Sequence, residues 1–121
     1  MNNLVMILAT MLVLALSGAA QAATLFTPPL RPDTDDFLKC LIVNTTGVNR
    51  TVQIQVIGDD GVVLDDSGDV ILAAGAIAES SVKETSGNHP RYCKFTVANK
   101  NFVRASACVF DNRCLGTVPA Q

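Results

Sequence analysis

Apolar and polar residues alternate with a period of two through residues 51–57, TVQIQVI, where Val52, Ile54 and Val56 are separated by Gln53 and Gln55. Such alternation marks a half-buried strand. Before it, FLKCLIVN is a short apolar run that ends in the turn residues Asn44, Thr45, Thr46 and Gly47. After it, GDDG separates TVQIQVI from VVL. A three-residue loop of Asp59, Asp60 and Gly61, with Gly61 supplying a positive φ, predicts a hairpin in which Val56 faces Leu64. Another turn, DDSGD, occupies residues 65–69. The alanine-rich stretch from Val70 to Glu84 lacks helical recurrence and carries Gly75 in its middle. It therefore predicts two short strands about a Gly75 turn.

The stretch RYCKFTVANKNFVRASACVF reads as a last hairpin about Asn99, Lys100 and Asn101. A three-residue loop pairs Val97 with Val103, Phe95 with Ala105 and Cys93 with Ala107, and all six fall on one apolar face. A slip of one residue would oppose Val97 to Arg104, so the apolar match selects the first register. A further short strand is expected near residues 115–118. Seven or eight short strands with no long amphipathic helix predict an antiparallel β-sandwich.

The N-terminal part has a different texture. Residues 4–16, LVMILATMLVLAL, form an uncharged run of thirteen, and SGAAQAA follows with Ala20 and Ala22 in an A-x-A pattern. This is the form of a secretory signal peptide, expected as a helix over residues 1–22, and it is short for a membrane span. The alternative is an uncleaved anchor. Residues 23–36 contain Pro28, Pro29 and Pro32, which predict an extended leader that is not a ladder strand. The sandwich is then one domain over residues 37–121. Export without membrane insertion after cleavage places the protein in the periplasm or outside the cell.

Composition narrows the chemistry. The chain has nine basic and eleven acidic residues, so nucleic acid is not an expected partner. There is one histidine, His89, in a loop before Pro90. Ser80, Ser81 and Ser86 lie near it in sequence, but nothing in the spacing converges them into a triad, so no catalytic residue is expected. The aspartates at 33, 35, 36, 59, 60, 65, 66 and 69 fall in turns and match no calcium-loop spacing. Two N-x-[ST] sequons, at Asn44 and Asn49, matter only in a eukaryotic secretory pathway.

The four cysteines, Cys40, Cys93, Cys108 and Cys114, are spaced too widely for a zinc site, and an even number in an exported chain predicts disulfides. In the chosen register Cys93 faces the core and Cys108 points away from it. Cys40 lies in an apolar strand of the facing sheet. This favours Cys40–Cys93 and Cys108–Cys114, and the rival is Cys93–Cys108 with Cys40–Cys114. Closing the long loop would stabilise the fold by about 4 kcal/mol and the short one by about 2.5 kcal/mol. No cofactor or metal is expected.

Taken together, C-x-x-x-N at residues 40–44, YCKF at 92–95 and VRAS at 103–106 resemble a pattern in small secreted bacterial proteins to which no function is assigned. The resemblance implies an immunoglobulin-like sandwich and the Cys40–Cys93 pairing, and it implies no active site. The chain departs from antibody-type domains in having no Trp between those cysteines. The expected function is an exported, non-catalytic structural or binding module whose partner is a protein or cell-surface component. The alternatives are a pilus- or fimbria-like subunit completed by strand donation, or an adhesion component, and a small secreted hydrolase using His89.

Overall fold

The computed structural model describes residues 22–121. The expected signal peptide, apart from Ala22, lies outside the described residues. Nine strands form two antiparallel sheets: β1 (Ala23–Phe26), β2 (Phe37–Asn44), β3 (Arg50–Gly58), β4 (Val63–Asp66), β5 (Val70–Leu72), β6 (Ile77–Lys83), β7 (Arg91–Val97), β8 (Val103–Phe110) and β9 (Cys114–Pro119). One sheet runs β1-β7-β3-β4, with β5 also on β3, and the other runs β6-β2-β8-β9. Period-two alternation puts Leu38, Cys40 and Ile42 of β2 against Val52, Ile54 and Val56 of β3 and Cys93, Phe95 and Val97 of β7, all fully or nearly fully buried. Full burial of a residue such as Phe95 or Leu38 contributes about 1.5–3 kcal/mol.

The all-β sandwich agrees with the sequence pattern, but three local expectations do not hold. First, β7 and β8 do not form a hairpin. β7 pairs with β1 and β3, whereas β8 pairs with β2 and β9. The chain crosses between sheets through a 3-10 turn at Lys100–Phe102, capped by the Asn99 side chain, which accepts from the Asn101 amide. Phe95 consequently lies opposite Ile54 and Leu25, and Ala107 lies opposite Cys40. The same residues are buried in either arrangement, because periodicity identifies the inward face and not the neighbour.

Second, the three-residue turn at Asp59, Asp60 and Gly61 is present, with Gly61 at φ 81°. A bulge between Val56 and Ile57 then shifts the register, so Val56 opposes Asp65 rather than Leu64. Third, the proline-rich leader is extended, but its first four residues are a ladder strand on β7. The prolines begin only after β1, and backbone bonds continue the attachment. Thr27 N–H donates to Cys93 O, and Leu30 and Arg91 exchange two bonds of 2.8 and 2.9 Å. The stretch from Val70 to Glu84 does split into two strands about Gly75, at φ 72°.

Cys40 and Cys93 join the two sheets through the centre of the core, with Cα atoms 5.7 Å apart, and Cys108 pairs with Cys114. Ala107 belongs to the core, so its neighbour Cys108 points to the outer face. Cys108 is nonetheless fully covered, while Cys114 on edge strand β9 is exposed.

Candidate functional site

The outer face of the five-stranded sheet carries an apolar groove at one end. Leu25 and Cys93 point into the core, so their strand neighbours Phe26 and Tyr92 must point outward. Pairing of β1 with β7 brings the two rings to 6.2 Å between centroids, inclined at 54°. Phe26 is 45% exposed, although aromatic side chains usually bury most of their surface. Its backbone is held on both sides. β7 pairs with it on one edge, and on the other its N–H and C=O exchange two 2.9 Å bonds with Gln121.

The walls are Thr27 and Pro29 after β1, Pro90 before β7, and Gly58, Asp59 and Gly61 at the β3–β4 turn. The groove encloses about 580 Å³, within the range of about 300–1,000 Å³ typical of ligand sites. The Thr27 hydroxyl is buried and accepts from the Cys93 amide at 2.9 Å. Asp59 is the only ionisable carboxylate in the lining. Its Oδ2 lies 3.7 Å from Nδ1 of His89, and both side chains are about half exposed.

The loop that carries His89 and Pro90 is anchored from below by Glu84, a fully buried carboxylate. Its Oε1 accepts from the Ser86 amide at 3.2 Å, and its Oε2 lies 3.1 Å from an Arg91 Nη2 that is off the hydrogen-bond line. Burial pushes the Glu84 carboxyl up. The Ser86 amide, the Arg91 charge, the His89 amide and the His89 charge together outweigh it, and the group titrates below the usual glutamate range.

The residues weighed for other chemistry are dispersed. The Ser80 hydroxyl bonds to Asp65, between the edges of the two sheets, and not to His89. Among the described residues no three His, Cys, Asp or Glu side chains converge as metal ligands would. Asp66 is bound in a surface network with Gly68, Gln53 and Gln55, which holds its carboxyl below the usual range. Asp36 titrates above it, through desolvation and the neighbouring charges of Asp111, Asp33 and Asp35. Asn44 of the first sequon is buried and fully engaged, whereas Asn49 is exposed.

Sequence reasoning missed the groove because Phe26, Pro29, Asp59, Pro90 and Tyr92 are scattered along the chain. They meet through the β3–β7 ladder, which brings Asp59 beside Pro90, and the β1–β7 ladder, which the prolines argued against. The available cue was the alternation about Leu25 and Cys93. No protein-family model, curated protein or solved structure matches the chain.

Proposed function

We propose that the protein is an exported, non-catalytic binding module whose ligand site is the groove of Phe26, Pro29, Asp59, Pro90 and Tyr92. The observation that carries this reading is the aromatic pair of exposed Phe26 and half-buried Tyr92 on one face. The backbone beneath Phe26 is held on both edges, which lowers the ordering cost of binding, and pre-organised apolar surface of this kind favours a ligand. Two disulfides fit an oxidising compartment, and among the described residues no helix is long and apolar enough to cross a membrane.

The inter-sheet staple and the β2–β6 and β3–β7 pairs support reading the sandwich as immunoglobulin-like. β8 departs from that pattern by lying beside β2, where an immunoglobulin sandwich places its last strand beside the one carrying the second cysteine. The non-catalytic reading is supported by the separation of Ser80 from His89. If activity is ever found, His89→Ala should leave it unchanged, and a large loss of turnover would overturn that reading.

The test is retention of material from periplasm or culture medium on three immobilised proteins: wild type, Tyr92→Ala and Ile71→Ser. Ile71 is 73% exposed on β5, outside the groove lining, and serves as the control apolar position. A ligand retained by wild type and Ile71→Ser but lost from Tyr92→Ala is expected. Equal retention by all three would contradict the assignment.

A further inference from the structure

Resting on that reading of the groove, we propose that its ligand is an extended, proline-containing peptide segment with an arginine or lysine at the end that lies over Asp59. Three observations select this class. The groove offers apolar walls and few polar side chains: the Asp59 carboxylate, the Tyr92 hydroxyl and a Thr27 hydroxyl that is buried and accepts from the Cys93 amide. A saccharide, which needs many hydrogen-bonding partners, would leave its hydroxyls unmatched. Proline segments in the polyproline II form satisfy no internal hydrogen bonds, arrive preformed, and pack their flat rings into aromatic-lined grooves. The inclined pair Phe26 and Tyr92, flanked by Pro29 and Pro90, is a notch of that kind.

The second observation concerns the strand edge. A peptide could instead add to β1 as a further strand. At Phe26 that edge is already closed by the two bonds to Gln121, and Ala120 N–H bonds to Ala105 O. The ligand must therefore be held by side-chain packing on the face.

The third is charge. Asp59 lines the groove half-exposed, with His89 as its only ion-pair neighbour among the described residues. The nearby Arg91 is committed to Glu84. Lys94 is outside the lining but stands across from Phe26 on the same face, so the groove is acidic at Asp59 and the surface beyond its other end carries a lysine. This fixes the direction of the ligand, with its cationic residue at the Asp59 end and neutral or acidic residues toward Lys94.

The chain has one tyrosine and no tryptophan, so Tyr92 fluorescence reports this site alone. The probe is a synthetic peptide of about ten residues, rich in proline, with two arginines at one end and no aromatic residue, long enough for about three polyproline turns. A saturable change in Tyr92 emission is expected. Asp59→Asn should weaken binding about three- to tenfold and remove most of its salt dependence, since an exposed ion pair is screened at about 1 M salt, where the Debye length is about 3 Å. Asp59 is exposed at a turn, so this variant keeps the fold; retained far-ultraviolet dichroism verifies it.

Two matched probes complete the test: the same peptide with alanine in place of proline, and a neutral oligosaccharide. If either binds as tightly as the proline peptide with Tyr92 responding, the ligand class is wrong while the groove remains a binding site. If none of the three changes Tyr92 emission, both the class and the groove assignment fall.

Discussion

Replacing Asn44 by alanine should remove a larger share of stability than any other uncharged polar substitution among the described residues. Asn44 is fully buried at the end of β2. Its Nδ2 directs its two hydrogens to Val48 O at 2.7 Å and Leu72 O at 2.9 Å, one of them shared with Ala73 O at 3.2 Å, and its Oδ1 accepts from Thr46 N and Thr46 Oγ1 at 2.9 and 2.7 Å. One side chain thus ties the β2–β3 turn to the β5–β6 turn, two segments nearly thirty residues apart, and its own backbone bonds to Gly75 and Ala76 add to the hub. Truncation leaves Leu72 O buried without its partner, at a cost of about 1–3 kcal/mol. The four part-buried bonds lose about 0.5 kcal/mol each, the low end of the usual range, because water replaces the amide there. The sum is about 3–5 kcal/mol against a domain stability of about 5–15 kcal/mol. With a urea slope near ~1.5 kcal/mol/M, the midpoint should fall by about 2–3 M. Urea unfolding followed by Tyr92 emission, with both disulfides intact, measures this. Thr45→Ala is the control, since its exposed hydroxyl makes one bond, to Phe102 O. If Asn44→Ala lowers the midpoint no more than Thr45→Ala does, the hub is not energetically important and the reasoning fails.

Four further outcomes are expected. Reductant should open Cys108–Cys114 first through the exposed sulfur of Cys114, and Cys40→Ala with Cys93→Ala should lower Tm far more than Cys108→Ala with Cys114→Ala, because it removes a loop closure of about 4 kcal/mol against about 2.5 kcal/mol and opens a core cavity; non-reducing peptide mapping and calorimetry test both. Glu84 titrates lower folded than unfolded, so its contribution is present above its unfolded value near 4.5 and is lost as pH falls through the folded value; acid unfolding of Glu84→Gln should lack that component, and identical acid profiles would contradict it. Asp36 is shifted the other way, so Asp36→Asn should raise Tm slightly at neutral pH and make no difference in strong acid. Gly75→Ala, at φ 72° with open space around it, should cost about 1–2 kcal/mol from backbone strain alone, while Gly47→Ala, equally open and not at positive φ, should not; equal midpoints would refute the strain argument.

The inward faces of the strands were legible in the sequence because alternation carries them directly. Val52, Ile54, Val56, Cys93, Phe95 and Val97 are all buried as the pattern requires. From those faces the staple Cys40–Cys93 followed, and the pairing of Cys108 with Cys114 followed from its outward position. What alternation cannot carry is which strand neighbours which. A tight hairpin and a crossing between sheets bury much the same residues of β7 and β8, so alternation does not tell them apart. The bulge after Val56 is similarly silent, since Ile57 is buried on the outer face beside Tyr92 and reads as one more apolar residue. The prolines of the leader obscured β1 because they begin immediately after it. With β1 unrecognised, Phe26 and Tyr92 could not be placed together, and the groove was invisible.

The most direct test of the central claim, that the groove is the binding site, is photo-cross-linking in the exported protein with p-benzoylphenylalanine in place of Phe26, compared with the same group in place of Ile71. Both positions are exposed and apolar, and only Phe26 lines the groove. A discrete adduct from position 26, reduced by Asp59→Asn and absent from position 71, is the predicted result. Adducts of equal yield from the two positions, or an adduct from position 71 alone, would contradict the account.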